Sequence, residues 1–403
     1  MTAVRDTLRG STLLRSLALV VVVGLVLLLI TESLSPYRNL QLANGAYYFC
    51  VLAGLTVLAG SSGQISLGHG AFMAVGAYTV AKLSNAGWAL VPELAASVVV
   101  TLVVGIFVGM AASRLRGPYL AGATLAFAVG LPALADKFPT FLGGENGLTI
   151  NPPTPPASLG ATFPLERWQA WIACAGALVV LFEFDNVTHS AIGRSLRAVR
   201  DDEIAASLAG LRVGRRQTLA FTLSAAAAGL GGGLLAVVSG TVAPGAFPLQ
   251  LSLTLLAGVV IGGLGSLVGA VWGAALLVFL PNWTNDLASS FSLSTNVSHN
   301  LPIAIYGLVL IAAMLAWPSG IQGGVRAVAG AVRSSVARRG DAGARGVGGP
   351  TAPAGTANAT EAAAPSPDSP ADSPADSPAD SPPAERDPDR GATTPASAPP
   401  PGS

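Results

Sequence analysis

The chain has 403 residues, of which 51% are apolar and only 11% are charged, and its formal net charge is +1. Because ordinary soluble domains carry roughly 25% charged residues, this composition excludes a purely soluble protein and indicates a membrane protein. The near-zero net charge gives no indication of nucleic-acid binding. Cys50 and Cys174 fall in apolar segments without metal-ligand spacing, so neither a disulfide nor a metal site is expected.

Apolar segments close to the length of a membrane span recur along the chain. They predict an all-α fold: a polytopic transmembrane helix bundle of about ten spans, with eight to eleven compatible with its glycine-rich breaks. The first segment follows Arg5, Arg9 and Arg15, and we expect an uncleaved span because no clear Ala-x-Ala site follows it. The segments are roughly 14–31, 41–60, 65–83, 90–112, 117–135, 167–184, 217–240, 249–264, 266–281 and 301–318.

Two of these predicted spans are irregular. Segment 65–83 is expected to be partly unwound. Segments 249–264 and 266–281 are joined only by Gly265, so they predict either two half-spans or a tight re-entrant hairpin.

The basic residues test the span count, because they favour the cytoplasmic side of a membrane protein. With a cytoplasmic N-terminus and ten alternating spans, Arg114, Arg116, the six arginines of 194–216 and the cluster 326–345 all lie inside. The basic residues left outside are Arg38, Lys82, Lys137 and Arg167. Both termini are therefore expected in the cytoplasm.

Residues 1–320 are predicted to form the transmembrane domain, with an external loop at 136–166 and a cytoplasmic loop at 185–216. The external loop is so rich in Gly and Pro that no regular element is expected in it, and it either meets an external partner or is a plain connector. A second external loop is predicted at 282–300. Residues 321–403 predict a cytoplasmic basic segment and then a disordered tail rich in Ala, Pro, Ser and Asp, because no apolar periodicity remains.

No catalytic constellation is present in the sequence. The histidines at 69, 189 and 299 fall in different regions, and no P-loop, nucleophile elbow or zinc signature occurs. We therefore expect no catalytic residue, no metal and no directly bound cofactor; any ATP and its Mg²⁺ would belong to partner subunits. Glycines recur at i, i+4, a spacing that lets helix backbones approach closely in lipid; the C-terminal set is Gly258, Gly262, Gly265, Gly269 and Gly273.

A polar, glycine-rich segment at 60–70, reading GSSGQISLGHG, separates two apolar runs. Polar groups at membrane depth need protein partners or a water-filled cavity, and broken helices of this kind often build transport pathways. Two interpretations stay open: the segment is a cytoplasmic connector, or it lines a translocation pathway with Ser62, Gln64, Ser66 and His69. His69 alone is more typical of a hydrogen-bonded structural residue than of a proton relay.

The charged stretch 193–216, reading GRSLRAVRDDEIAASLAGLRVGRR, lies between two long apolar runs. Its charges recur at three-residue steps and predict a helix with pairs such as Arg200 with Glu203, ended by Gly210. Small alanines suit insertion into a groove on a soluble partner; the alternative is a solvated helix whose arginines only set topology. The candidate docking residues are Arg194, Arg197, Arg200, Asp201, Asp202, Glu203, Ala205, Ala206 and Gly210.

Five segments, in order, resemble the LivM-type permeases of branched-chain amino-acid ABC importers and cover about residues 40–320. They are 54–78 with GQISLGHG, 114–127, 143–149 with GGENGLT, 193–210, and 262–274 with GGLGSLVGAVWGA. Ala205-Ala206-x-x-x-Gly210 is similar to the EAA-x-x-x-G loop by which ABC permeases dock on a cytoplasmic ATPase. Two departures are Ile204, where the motif usually has Glu, and Pro118 in the second segment.

The resemblance implies one half of a heterodimeric pore in the bacterial cell membrane, which moves branched-chain amino acids inward. The implied partners are a second, LivH-like permease subunit, two cytoplasmic ABC ATPases, an extracytoplasmic solute-binding protein, the small-molecule solute and membrane lipid. Urea, amides and other amino acids are alternative solutes.

Two other classes of function remain open. An ion-coupled secondary transporter needs an acidic residue within the membrane, whereas Asp136, Glu183 and Asp185 lie near the ends of predicted spans. A membrane scaffold or sensor would act through the tail. Deletion of 340–403 would therefore abolish the activity of a scaffold, whereas a transporter would retain uptake.

Overall fold

The computed structural model describes residues 12–115, 117–160, 162–290 and 320–330, together with residues 305, 307, 308, 311 and 312. The described chain is almost entirely α-helical, as its apolar segments predict. Its helices are α1 (Thr12–Ser33), α2 (Pro36–Ser62), α3 (His69–Asn85), α4 (Leu90–Ala112), α5 (Pro118–Lys137), α6 (Pro139–Leu142), α7 (Leu165–His189), α8 (Ala191–Asp201), α9 (Glu203–Leu208), α10 (Val213–Ser239), α11 (Leu249–Gly262) and α12 (Leu267–Ser290). Strands β1 (Leu148–Thr149) and β2 (Thr241–Val242) pair antiparallel.

Nearly all predicted spans correspond to observed helices. They match α1 to α5, α7 and α10 to α12 in turn, and the last segment, 301–318, falls largely outside the described residues. Within the described part of the chain, seven helices are long and apolar enough to cross a membrane: α1, α2, α4, α5, α7, α10, and α11 with the turn before it. Helix α3 has 17 residues, or about 26 Å, and is shorter than a usual span.

Helices α2 and α10 form the centre of the bundle, and α10 contacts α2, α3 and α4. The contacts are close because α10 carries glycines where its neighbours cross. A Cβ added at Gly232 would lie 1.9 Å from the carbonyl oxygen of Met73 on α3, and one at Gly229 would lie 2.3 Å from Thr101 Oγ1 on α4. The backbone of α10 therefore packs directly against neighbouring helices, which any larger residue at these two positions would prevent.

The glycines of the C-terminal set lie in an antiparallel hairpin made by α11 and α12. A Cβ added at Gly262 would lie 2.1 Å from the carbonyl oxygen of Gly269, and one at Gly273 would lie 2.5 Å from that of Gly258. Gly265, with φ of 79°, lies in the four-residue turn between the two helices. The structure shows two helices joined by a tight turn, and the choice between two half-spans and a re-entrant hairpin stays a prediction.

The external loop predicted at 282–300 is wrong in its first part, because α12 continues to Ser290. The Ser, Thr and Asn residues of this segment favour a loop. In the structure, Asn282 Nδ2 instead donates to the carbonyl oxygen of Val278 one turn earlier, at 2.7 Å. Such a local bond lets a polar side chain continue a helix without another partner.

The connections fall at the two ends of the bundle as the alternation of spans predicts. At one end, the loop after α2, helix α8, the turn before α12 and the helical residues 320–330 contact one another. Arg200 Nη1 donates to the carbonyl oxygen of Gly60, Gly60 packs against Gly265, and Arg326 Nη2 donates to Ser266 Oγ at 3.2 Å. Residues 331–403, where the tail is predicted, lie outside the described residues.

The opposite end carries the loop between α5 and α7, which contains more regular structure than predicted. It includes α6, two short 3₁₀ turns and β1, which pairs Leu148 with Val242. Gly143 and Gly147 have φ of 84° and 70°, and a Cβ at Gly147 would lie 2.1 Å from the carbonyl oxygen of Val242. The GGENG sequence thus forms a tight turn that brings β1 against β2, because glycine alone adopts these conformations at little cost.

Helix α1 lies at the edge of the bundle against α7, and its apolar side chains are largely exposed. Polar contacts hold its two ends. Ser16 Oγ donates to the Asp185 carboxylate, and Trp171 Nε1 donates to Thr31 Oγ1 at 2.9 Å. These contacts fix α1 on α7, while its remaining surface is free to face lipid.

Candidate functional site

The part of the charged stretch predicted as one helix, 194–210, folds as two short helices, and residues 213–216 begin α10. Helix α8 begins after Ser190, whose hydroxyl accepts from the backbone N–H of Ile192 at 3.1 Å. The chain becomes extended at Asp202, whose carboxylate accepts from the N–H groups of Ile204 and Ala205 at 2.8 and 3.0 Å and so begins α9. Aspartate is among the best N-cap residues, and here its cap replaces continuation of the first helix.

This break at Asp202 changes the predicted ion pairing. Arg200 pairs with Asp201, Nη2 to Oδ1 at 2.7 Å, rather than with Glu203 as predicted. Glu203 Oε1 instead accepts from Gln217 Nε2 on α10 at 2.7 Å. The i, i+3 pair requires a continuous helix, which the chain does not form at this point.

Two of the predicted docking arginines have structural contacts to α7. Arg197 Nη1 donates to the carbonyl oxygen of Thr188 at 3.0 Å, and Arg194 Nη1 donates to that of His189 at 3.2 Å. The last carbonyls of a helix have no partner within it and carry partial negative charge, so these guanidinium groups satisfy the C-terminal end of α7. Together with the buried Leu196 and Val199, they fasten α8 to the bundle.

Helix α9 presents an apolar surface to solvent, which we call the α9 patch and define as Ile204 and Leu208. Their side chains are 74% and 84% exposed and lie at i, i+4, on one face of the helix. Ala205 is exposed beside them, whereas Ala206, predicted to enter a groove on a partner, is buried against this chain. Gly210, with φ of 84°, follows the end of α9. The sequence analysis missed Leu208 and treated Ile204 only as a departure from the motif.

The polar segment is unwound over residues 63–68, where it joins the end of α2 to the start of α3. This connection lies at the same end of the bundle as α8. Its polar side chains are buried in protein in this conformation; they are Ser62, Gln64, Ser66 and His69. Ser62 Oγ donates to the carbonyl oxygen of Leu58 at 2.7 Å and lies 3.4 Å from Gln64 Oε1. The segment is therefore a connector by position, and its pathway role stays a prediction.

His69 is the centre of a buried hydrogen-bond network that joins this segment to three other helices. Its Nδ1 lies 3.1 Å from Ser66 Oγ, and its Nε2 lies 2.7 Å from Ser224 Oγ on α10. The backbone N–H of Gly70 donates to Ser252 Oγ on α11 at 3.0 Å, and that of Leu67 donates to Thr124 Oγ1 on α5 at 3.0 Å. Sequence analysis missed these three partners, because a single Ser or Thr in an apolar helix ordinarily bonds to its own backbone.

The charged stretch 193–216 and the polar segment are in contact through Arg200. Besides donating to the Gly60 carbonyl oxygen, the Arg200 side chain lies against Gly63, where an added Cβ would be 3.0 Å from Arg200 Cγ. Gly63 has φ of 73° and ends α2. The surface that carries the α9 patch is thus connected, through α8 and Arg200, to the point at which α2 unwinds.

No group of three or more His, Cys, Asp or Glu side chains in the described part of the chain could hold a metal ion. Cys50 and Cys174 are both free.

Comparisons with known proteins identify the family of the chain. Residues 39–316 match the family described as branched-chain amino acid transport system / permease component. The chain is 34% identical over 258 residues to the high-affinity branched-chain amino acid transport system permease protein LivM of Salmonella typhimurium, covering 57% of this chain and 60% of that protein. It is 33% identical over 297 residues to LivM of Escherichia coli, covering 67% and 68% respectively.

A third relative is the permease protein BraD of Pseudomonas aeruginosa, 26% identical over 316 residues, which cover 70% of this chain and 95% of BraD. The chain thus spans well over half, but not all, of the first of these relatives. No solved structure matches it. Its helical bundle, its apolar spans and the matched segment together establish a multi-pass membrane protein that belongs to the family of permease components of branched-chain amino acid transport systems.

Proposed function

We propose that this chain is one of the two permease subunits of an ABC importer, which moves branched-chain amino acids into the cell using ATP hydrolysed by separate subunits. Membership of the permease family and the names of the LivM and BraD relatives support the solute class. The observation that supports docking of an ATPase on this chain is the α9 patch. It consists of two large apolar side chains exposed on a capped helix outside the predicted spans. Apolar side chains grouped in this way at a polar surface mark protein interaction sites.

The proposed assembly contains a second, LivH-like permease subunit, two cytoplasmic ABC ATPases and an extracytoplasmic solute-binding protein. ATP and Mg²⁺ bind to the ATPases, so this chain is a transport subunit and not itself an enzyme. It lies in the bacterial cell membrane with both termini in the cytoplasm. This orientation follows from the arginines of α8 and α10 and from Arg326, because basic residues favour the cytoplasmic side.

In the proposed cycle, the α9 patch occupies a groove on one ATPase. Closure of the ATPase dimer on ATP moves α9 and α8, and Arg200 transmits this movement to the unwound end of α2. The bundle then opens outward to the loaded binding protein and releases the solute inward after hydrolysis. ATP and binding protein must each prefer one conformation, because a ligand shifts an equilibrium only by its differential affinity for the two states.

Docking is tested by co-purification. The full chain, tagged, is expressed with the ABC ATPases encoded beside it and solubilised in detergent, as the native sequence and as Leu208→Asp. Burying a leucine side chain contributes about 1.5–3 kcal/mol, so we expect the variant to weaken ATPase binding by at least about tenfold. The matched control is Leu159→Asp, which introduces the same change at an exposed position at the opposite end of the bundle.

Retention of the ATPase by Leu159→Asp and its loss from Leu208→Asp would support the proposal. If the folded native chain retains no ATPase, or if both variants bind it equally, the α9 patch is not the docking surface. Uptake driven by an ion gradient without ATP would then favour the secondary-transporter alternative. Uptake of labelled leucine by the reconstituted importer, with valine, isoleucine and urea as competitors, tests the solute class.

A further inference from the structure

A large apolar groove lies on the side of the bundle where α1 and α12 stand apart. Its volume is about 720 Å³, and it is bounded by Leu27 of α1 and by Val278 and Phe279 of α12. Helices α2 and α7 form its floor, where the small Gly45 and Ala46 leave space between the walls. Because α1 is exposed along most of its length, the groove lies at the periphery of the bundle and opens toward lipid.

One end of the groove is polar. Arg38 and Gln41, in the first turns of α2, line it at the end of the bundle that carries β1 and β2. Arg38 is exposed, and it forms no ion pair with any of the carboxylates whose side chains the structure describes. An exposed guanidinium group at the mouth of an apolar groove is complementary to an anionic group on an otherwise apolar molecule.

The length of the groove matches one leaflet of a membrane. Along α2 its lining residues run from Arg38 to Phe49, which corresponds to about 16 Å of helix. The hydrocarbon core of a bilayer is about 30 Å thick, so one leaflet contributes about 15 Å. A chain that entered beside Arg38 would therefore reach the middle of the membrane at Phe49.

From this juxtaposition we infer that the groove binds an anionic glycerophospholipid of the outer leaflet. One acyl chain lies between α1 and α12, and the phosphate group lies at Arg38 and Gln41. The site is separate from the α9 patch and from the His69 network, which lie on other elements. Its occupant would connect the peripheral α1 to α2 and α12, which line the same groove.

Charge and fit must provide the selectivity of this site. An acyl chain that moves from bilayer to groove remains in an apolar environment, so the transfer contributes little by itself. Close packing around Gly45 then determines how firmly the chain is held. The Arg38 guanidinium determines which headgroup is preferred.

The experiment uses the full-length chain reconstituted in vesicles of equal parts phosphatidylglycerol and phosphatidylethanolamine. After extraction in mild detergent, native mass spectrometry measures the lipids that remain bound to the native chain and to two variants. Gly45→Leu places a larger side chain in the groove, and an added Cβ at this position meets no atom within 4 Å. Arg38→Gln removes the charge at the mouth.

We expect the native chain to retain phosphatidylglycerol in preference to phosphatidylethanolamine. Gly45→Leu should lose bound lipid of both kinds, whereas Arg38→Gln should lose about fivefold in headgroup preference, the contribution of one basic residue near an anionic lipid. The controls are Gly122→Leu, an open glycine on α5 outside the groove, and Lys137→Gln, an exposed cation on α5. Both should bind lipid like the native chain.

Three results would overturn the inference. The first is a native chain that retains no phospholipid. The second is bound lipid that Gly45→Leu leaves unchanged, since the lipid would then lie elsewhere. The third is a Gly45→Leu chain that keeps its lipid but loses a co-expressed second permease subunit, which would make the groove a subunit interface. Equal thermal unfolding midpoints of all variants ensure that each result concerns binding and not folding.

Discussion

Arg200, at the end of α8, donates a hydrogen bond to the carbonyl oxygen of Gly60, 140 residues earlier in the chain. This contact connects the helices that follow α7 to the last turn of α2, directly before the unwound segment 63–68. Gly60 in turn packs against Gly265 in the turn between α11 and α12. One residue thus links α8 to α2 and, through Gly60, to the turn between α11 and α12.

We expect Arg200→Ala to reduce ATP-driven leucine uptake by the reconstituted importer while the ATPase still co-purifies. Loss of one coupling contact typically costs about 0.5–2 kcal/mol, which corresponds to a decrease of about two- to thirtyfold. The control is Arg194→Ala, because the hydrogen bond that the structure describes for this guanidinium is to the end of α7 and not to α2. Equal uptake by the two variants would show that the contact with Gly60 does not transmit the movement.

Asp202→Ala should loosen α9, because it removes the side chain that accepts from Ile204 and Ala205. Loss of such an N-cap costs about 0.5–2 kcal/mol. The measurement is the rate of tryptic cleavage at Arg212 in inside-out vesicles. This rate should rise in Asp202→Ala and return to the native value in Asp202→Ser. Asp201→Ala is the control, since its exposed ion pair with Arg200 contributes only about 0–1 kcal/mol. Equal cleavage rates in the two alanine variants would contradict the capping role.

His69→Ala should destabilise the bundle, because it removes the side-chain partner of the buried Ser224 hydroxyl and one of the partners of Ser66, and it opens a cavity. We expect a decrease of about 2–5 kcal/mol in the free energy of unfolding, measured by denaturant unfolding in detergent. His189→Ala, at an exposed position near the end of α7, should change it by less than about 0.5 kcal/mol. A His69 variant as stable as the His189 control would contradict the structural role of the network.

Gly232→Ala should be strongly unfavourable, since its Cβ would lie 1.9 Å from the carbonyl oxygen of Met73. Forcing apart the two packed helices costs about 1–3 kcal/mol or more. Gly130→Ala is the matched control, because nothing lies within 4 Å of its added Cβ; there we expect a gain of about 0.5–1 kcal/mol from the better helix former. The two thermal unfolding midpoints should therefore move in opposite directions, and a shared direction would refute the packing account of α10.

Much of the architecture could be predicted from the sequence, because the properties involved are local. Each apolar segment within the described residues corresponds to a helix, and the arginines of 194–216 lie at one end of the bundle. The glycine spacing at 258–273 corresponds to the hairpin of α11 and α12. Each of these signals is contained in a short, continuous part of the sequence. The five resembling segments likewise indicated the family that residues 39–316 match. The polar composition of 282–290 misled, since it is compatible with both a loop and a helix end.

The arrangement of the site was decided only by the tertiary structure. Asp202 ends one helix and begins another because α8 is held to α7 and the bundle by Arg194, Arg197 and buried apolar residues, so the competition between cap and continued helix depends on packing. His69 meets Ser224, 155 residues away, and Arg200 meets Gly60 across 140 residues. Sequence determined which residues are polar, small or apolar; only the packing of distant helices determined which of them meet, because no local pattern encodes contacts between residues so far apart in the chain.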